Sequence, residues 1–142
     1  MSAYFGLDLD RLLGLWSVPP ADRHDAYADF AALYEDPVTI NDSPTPLQDL
    51  VARAQAINEA FSDQQSEILD VVAARSKLAV AFRRHATHTG TWSSPLGDLP
   101  ATHERVTIMG LDIFTITDGR ITAIRVLGDD LAVLLTAAGR RL

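Results

Sequence analysis

Hydrophobic side chains in the first third of the chain recur at helical spacing. One stripe covers residues 9–16 and a second covers residues 26–34, and Pro19 and Pro20 interrupt the pattern between them. The spacing predicts two N-terminal helices, or one broken helix, before residue 35. The segment "DPVTIND", bounded by prolines, then predicts a short strand at residues 36–42.

A further helix is predicted at residues 46–60. Thr45 is placed as its N-cap, Pro46 at its first helical position, and Gln48 where it would close a capping box. Its apolar positions form a single stripe, so one face should cover another part of the molecule. They are Leu47, Leu50, Val51, Ala54, Ile57 and Phe61.

Beyond Asp63 the pattern changes to β-rich runs separated by turn signals. The predicted strands are residues 67–74, 78–89, 106–117 and, after a "TDGR" turn, 121–127. Residues 92–103 are expected to form a loop, and residues 130–142 a short helix and a tail. Helices followed by a meander of strands indicate an α+β fold, in which the helices cover one face of an antiparallel sheet. With 142 residues, the chain is expected to be a single domain over 1–142.

Composition narrows the classes of partner. The net charge of −7 and the pI near 4.8 argue against a surface built for nucleic acid or for an anionic membrane. No apolar run approaches the roughly 20 residues of a membrane span, and acids stand where a signal peptide has basic residues. A cytoplasmic protein is therefore expected. Because the chain has no cysteine, thiol nucleophiles and thiolate ligands are excluded.

The segment "RRHATHTGTW" places His85 and His88 three residues apart, which raises the question of a metal site. On a helix the two side chains would share a face, but the residues before them predict a strand. On a strand an odd spacing directs the two rings to opposite faces. No metal site is therefore expected.

Three segments, in order, resemble the SnoaL-like branch of the NTF2-like superfamily, which includes polyketide cyclases, ketosteroid isomerases and limonene-type epoxide hydrolases. They are "ALYEDPVTINDSP", "FSDQQSEILDVVAARSKLAVAFRRHATHTG" and "GLDIFTITDGRI". The resemblance implies a cone: a strongly curved antiparallel or mixed sheet wrapped around a deep apolar pocket that the N-terminal helices and the helix at 46–60 close. Homodimers are usual in the family, so a homodimer is expected.

The resemblance also implies candidate catalytic residues. Asp42 matches the general base of the ketosteroid isomerases, and Asp112 matches their protonated oxyanion donor; the isomerase is the standard example of a carboxyl kept neutral by an apolar site. The neighbours Leu111, Ile113 and Phe114 predict a raised pKa for Asp112. The chain departs from the family elsewhere: Leu12 replaces the isomerase tyrosine. On the last strand, Val126 stands where cyclases carry an aspartate, and Arg125 replaces a tryptophan.

The candidate substrate-binding residues are His88, Arg125, Asn41, Trp16 and Phe114. Structural roles compete with the functional ones: Asp42 as a helix N-cap, Asp112 as a hydrogen-bonding aspartate between strands, and His88 as part of a turn. Arg83, Arg84 and His85 are expected to be solvated.

The functional hypothesis is a cofactor-independent acid/base enzyme of secondary metabolism, such as antibiotic biosynthesis. It would act as a cyclase or isomerase on a polyketide-like or other small hydrophobic, carbonyl-bearing molecule. One alternative is a small-molecule binding protein without chemistry. Another is a limonene-type epoxide hydrolase, which needs an Asp–Arg–Asp set that Arg125 and Asp112 supply only in part.

Overall fold

A computed structural model describes residues 3–94 and 96–137 of the chain. Its helices are α1 (Leu9–Ser17), α2 (Ala26–Ala31), α3 (Leu47–Ala60) and α4 (Asp130–Ala137), with a 3₁₀ turn at Pro20–Asp22. None of these helices has the length and the apolar character needed to cross a membrane. The strands in the N-terminal half are β1 (Ala3–Tyr4), β2 (Leu7–Asp8), β3 (Tyr34–Ile40) and β4 (Ser43–Thr45). The later strands are β5 (Phe61–Ala74), β6 (Lys77–His88), β7 (Trp92–Ser94), β8 (Gly97–Leu99), β9 (Arg105–Thr117) and β10 (Arg120–Gly128).

The main sheet has six strands in the order β4-β3-β10-β9-β6-β5 and does not close. Strand β10 pairs parallel with β3, and every other neighbouring pair in this sheet is antiparallel. Register shifts interrupt the β5–β6 pairing twice and the β10 pairings once. Because bulges bend a strand and increase its twist, they allow long strands such as β5 and β9 to curve. The fold is thus α+β with a curved, mixed sheet, as predicted.

Helix α3 lies across the concave face of the sheet. It contacts β3 near one edge, β5 at the opposite edge, and also α2. Leu47, Leu50 and Ala54 of its predicted stripe are buried, and Val51 and Ile57 pack against the core as partly buried residues. The periodicity therefore identified the covering face at these five positions, whereas Phe61, the sixth, is the first residue of β5.

The start of α3 differs from the prediction. Pro46 occupies the N-cap position, and it cannot cap through a side chain. Thr45 is paired with Val38 in the sheet, and its hydroxyl donates to the carbonyl of Ser43. The Oδ1 of Asp36 instead accepts from the Leu47 amide at 3.1 Å. The helix is capped by a distant strand residue, which local pattern matching does not detect.

Three other boundaries also differ. Helix α2 ends at Ala31, and Tyr34 opens β3 rather than continuing the helix. Strand β5 begins at Phe61, six residues before the predicted start at residue 67. The prediction missed these residues because they are mostly polar, show no alternation and contain a bulge. The segment 92–103 contains the small β7–β8 hairpin. The predicted C-terminal tail lies beyond residue 137 and so outside the described residues.

Candidate functional site

An apolar cavity of about 420 Å³ lies between the concave face of the sheet and helices α1 and α3. This volume is in the range of small-molecule binding sites, about 300–1,000 Å³. Leu12, Trp16, Leu50 and Ile57 line it from the helices; Val80, Phe82, Phe114 and Ile124 line it from the sheet. Trp16 and Phe114, both predicted to bind substrate, therefore lie in the cavity wall.

Asp112 also faces this cavity. In the register of the sheet it pairs with Val80 on one side and with Val126 on the other, and both of those residues line the cavity too. Its Oδ1 is buried and has no hydrogen-bond partner among the described residues. Burial raises the pKa of Asp112 to about 6, although the positive charge of Arg84 acts to lower it.

The raised pKa agrees with the prediction, but the sequence suggested only part of the cause. Leu111 and Met109 are exposed, because odd-numbered residues of β9 point away from the cavity. The apolar surroundings of Asp112 come from the next residue on its own face, Phe114, and from neighbouring strands, such as Val80. Partners across the sheet, rather than neighbours in sequence, desolvate the carboxyl.

Tyr34 is a cavity residue that the sequence analysis did not single out. The hydroxyl is buried and accepts a hydrogen bond of 2.8 Å from the indole Nε1 of Trp16. Because an indole N–H can only donate, this bond leaves the proton of the Tyr34 hydroxyl available for another acceptor. Burial raises the pKa of Tyr34, and the nearby charge of Asp112 raises it further. The phenol therefore stays protonated and can donate a hydrogen bond.

Arg84 was expected to be solvated, and this expectation was wrong. It lines the cavity, and its Nε is buried without a hydrogen-bond partner among the described residues. Its guanidinium carbon lies 5.9 Å from the centre of the Phe82 ring. A Cβ on Gly110 would come within 2.2 Å of that ring, so the glycine lets Phe82 lie flat across β9. A signal was present in the sequence, since Val80, Phe82 and Arg84 share one face of a strand.

Asp42 and Arg125 lie outside the cavity lining. Arg125 pairs with Ile113 in the register of the sheet and so projects from the opposite face to Asp112. Its guanidinium binds the carboxylate of Asp42 through two contacts of 3.1 and 3.2 Å. The two side chains are 65% and 76% exposed. The structure therefore does not bring Asp42 and Asp112 into one pocket, nor does it assemble an epoxide-hydrolase set from Arg125 and Asp112.

Asn41 and Asp42 form the two-residue turn between β3 and β4, and both have positive φ angles, 46° and 70°. Asparagine and aspartate tolerate this conformation, which the hairpin turn requires. Asn41 borders the cavity, but its side chain is already engaged with β10. Its Oδ1 accepts from the Val126 amide at 2.9 Å, and its Nδ2 donates to the Val126 carbonyl at 3.3 Å.

His88 is fully buried and lies behind the cavity wall rather than in it. Its Nδ1 is 3.0 Å from the Thr102 hydroxyl, and its ring lies against Phe61. Burial lowers the pKa of His88. His85 instead contacts the Thr107 hydroxyl at 3.0 Å and the Glu67 carboxylate at 3.6 Å. Among the described residues, no three histidine, aspartate or glutamate side chains are grouped as a metal site would require.

A family model described as SnoaL-like polyketide cyclase matches residues 12–136. The solved structures that share the fold include the following three, which match over most of both chains. A SnoaL-like polyketide cyclase from Agrobacterium tumefaciens is 16% identical with a TM-score of 0.69, covering 94% of this chain and 97% of its own.

A protein from Jannaschia sp. CCS1, described as a candidate SnoaL-like polyketide cyclase, is 16% identical with a TM-score of 0.72; 92% of this chain and 90% of that one are covered. IdmH from Streptomyces antibioticus, a candidate polyketide cyclase, is 18% identical with a TM-score of 0.68, over 92% and 97% of the two chains. At these identities the likeness shows the fold alone. None of the curated proteins matches the sequence.

Proposed function

The chain belongs to the SnoaL-like polyketide cyclase family, and we propose that it transfers a proton on an apolar, carbonyl-bearing small molecule held in the cavity. Asp112 is the proton acceptor in this proposal. The carboxylate removes a proton from the carbon next to the carbonyl, and the electron pair of that C–H bond moves towards the carbonyl oxygen. The carboxylic acid then returns the proton to the product.

The proposal rests on the raised pKa and the unpartnered oxygen of Asp112 inside an apolar cavity. A general base works best when its pKa is close to the operating pH, and burial raises the pKa of this carboxyl to about 6. Its buried Oδ1 has no competing partner among the described residues, so it is available to a ligand. Asp112 thus takes the base role that the sequence analysis assigned to Asp42.

Tyr34 supplies the hydrogen bond to the developing enolate oxygen. Its hydroxyl stays protonated, and the bond from Trp16 to its oxygen leaves the phenolic hydrogen free to donate. A donor placed before the reaction and held in an apolar site stabilises such an oxyanion more than water does. The proposed step uses only side chains of this chain and needs no cofactor.

The proposal is tested by proton exchange on a simple ketone. 2-Tetralone, an apolar enolisable ketone, is incubated in D₂O, and NMR follows the loss of its α-protons. The protein should accelerate exchange above the buffer rate, and Asp112→Asn should reduce that acceleration by about 100-fold or more. The rate should rise between pH 5 and pH 7, with a midpoint near the pKa of about 6, as Asp112 ionises.

Asp70→Asn is the matched control, since Asp70 is exposed on the edge strand β5, which β6 separates from the strand of Asp112. It should exchange like the parent. An Asp112→Asn variant as active as the parent would refute the catalytic role.

A ligand-binding protein without chemistry is the second candidate. It is favoured by the position of Asp42, whose carboxylate binds Arg125 away from the cavity and leaves the two-carboxylate mechanism without its base. A protein of this kind should produce no exchange above the buffer rate with any enolisable probe.

Four expectations from the sequence stay predictions: the polyketide-like substrate, the link to antibiotic biosynthesis, the cytoplasmic location and the homodimer. Light scattering on the purified protein checks the homodimer.

A further inference from the structure

Among the described residues, the charged side chains of the cavity lining form no ion pair with one another. Arg84 and Asp112 both line the cavity, and each has a buried polar atom without a hydrogen-bond partner among the described residues. The arginines that form ion pairs within the described residues are four others, namely Arg23, Arg83, Arg105 and Arg125. Arg84 is therefore a guanidinium in a largely apolar cavity to which no carboxylate of the described residues is bound.

Burying the Arg84 guanidinium without a carboxylate partner is energetically unfavourable. Burial lowers the pKa of the Arg84 guanidinium, because taking a charge out of water disfavours the charged form. The nearby charge of Asp112 only partly offsets this, and that charge is lost as the pH falls through about 6. The face of Phe82 offers a weaker, non-directional contact. A group that is costly to bury and unpaired is expected to have a partner in the ligand.

We propose that the ligand of this cavity carries a carboxylate, which binds the guanidinium of Arg84 while the carbonyl of the same molecule lies at Asp112. This inference rests on the proposed function and specifies its substrate class: an apolar keto acid rather than a neutral ketone. The planar guanidinium can bind both oxygens of a carboxylate at once. Among the described residues, the other charged side chains of the lining are Arg53 and Asp130. Both are exposed, so Arg84 is the described cation nearest the apolar interior.

The test compares two ligands of the same shape that differ in charge. The probes are adamantane-1-carboxylate and adamantane-1-carboxamide, titrated at pH 6.5. Both tryptophans of the chain, Trp16 and Trp92, line the cavity, so intrinsic fluorescence reports binding. The parent protein should bind the carboxylate about 10-fold more tightly or better, as expected for a charge-assisted hydrogen-bonded pair.

Variants assign this preference to a residue. Arg84→Gln should bind the two probes equally, whereas Arg84→Lys, which keeps the charge but not the planar fork, should retain part of the preference. Arg83→Gln is the matched control, because Arg83 is the adjacent arginine and pairs with Glu67 at 2.9 Å. It should keep the full preference.

Equal affinity of the two probes in the parent protein, no measurable binding of the carboxylate, or a preference that survives in Arg84→Gln overturns the inference. The first two outcomes do not depend on the folding of any variant. The exchange of 2-tetralone separates this inference from the proposed function, because that ketone has no carboxylate. Exchange without a carboxylate preference refutes only the keto-acid class, and a preference without exchange refutes only the proton transfer.

Discussion

The raised pKa of Asp112 makes the stability of the protein depend on pH in a defined direction. In the unfolded chain the carboxyl has its ordinary pKa of 3.8, and in the folded protein burial raises this to about 6. The folded state therefore holds the proton more tightly. The stabilisation is complete below pH 3.8 and is lost as the pH rises through 6. An ionised Asp112 costs the native state about 3 kcal/mol at pH 8.

Replacing Asp112 with Asn removes this titration and keeps the size of the side chain. About half of the cost of ionising Asp112 is already present at pH 5, and the rest appears by pH 8. The parent should therefore lose about 1.4 kcal/mol of stability relative to the variant between pH 5 and pH 8. Urea titrations at several pH values measure the free energy of unfolding of both proteins. The change with pH is decisive, since a constant offset between the two proteins reflects only the difference between a carboxyl and an amide.

Asp70→Asn, at an exposed strand position, is the control and should follow the parent at every pH. Parallel stability curves for the parent and Asp112→Asn would show that Asp112 titrates alike in the folded and unfolded states. A parent that gains stability relative to the variant as the pH rises would show that the carboxylate has a strong partner. Either result refutes the reasoning from burial and removes the basis of the proposed base.

Three further predictions concern residues outside the cavity lining. Asp42→Asn removes an exposed ion pair, so it should change the free energy of unfolding by less than about 1 kcal/mol in urea titrations and leave 2-tetralone exchange unchanged; a large loss of exchange would restore Asp42 to the mechanism. Gly90→Ala should destabilise the protein by about 1–3 kcal/mol in the same assay, because its Cβ would lie 2.1 Å from the Glu59 carbonyl oxygen. Asp36→Ala should lower Tm in thermal denaturation, since it removes the acceptor for the Leu47 amide, whereas the neighbouring Glu35→Ala should have little effect.

The order of elements could be predicted from the sequence because the signals are local. The apolar stripe of α3 and the long β-rich runs depend on residues a few positions apart, and this pattern alone indicates which face is covered. The resemblance to a known family then supplied the cavity, which periodicity cannot show. Boundaries failed where a distant partner decides them, as at the start of α3, where Asp36 of β3 replaces the predicted cap.

The fold class and the opposite faces of His85 and His88 follow from the sequence alone. For Asp112 the sequence indicated a raised pKa, but of the neighbours used for that prediction only Phe114 lines the same cavity. Which groups come into contact depends on the tertiary structure. The register of the sheet directs Arg125 away from Asp112, and the turn at Asn41 and Asp42 carries the second carboxylate to that other face. The curvature of the sheet and the packing of α1 bring Tyr34, Trp16 and Arg84 to the cavity of Asp112. Strand alternation limits a side chain to one of two faces, but pairing between distant strands determines what lies opposite it.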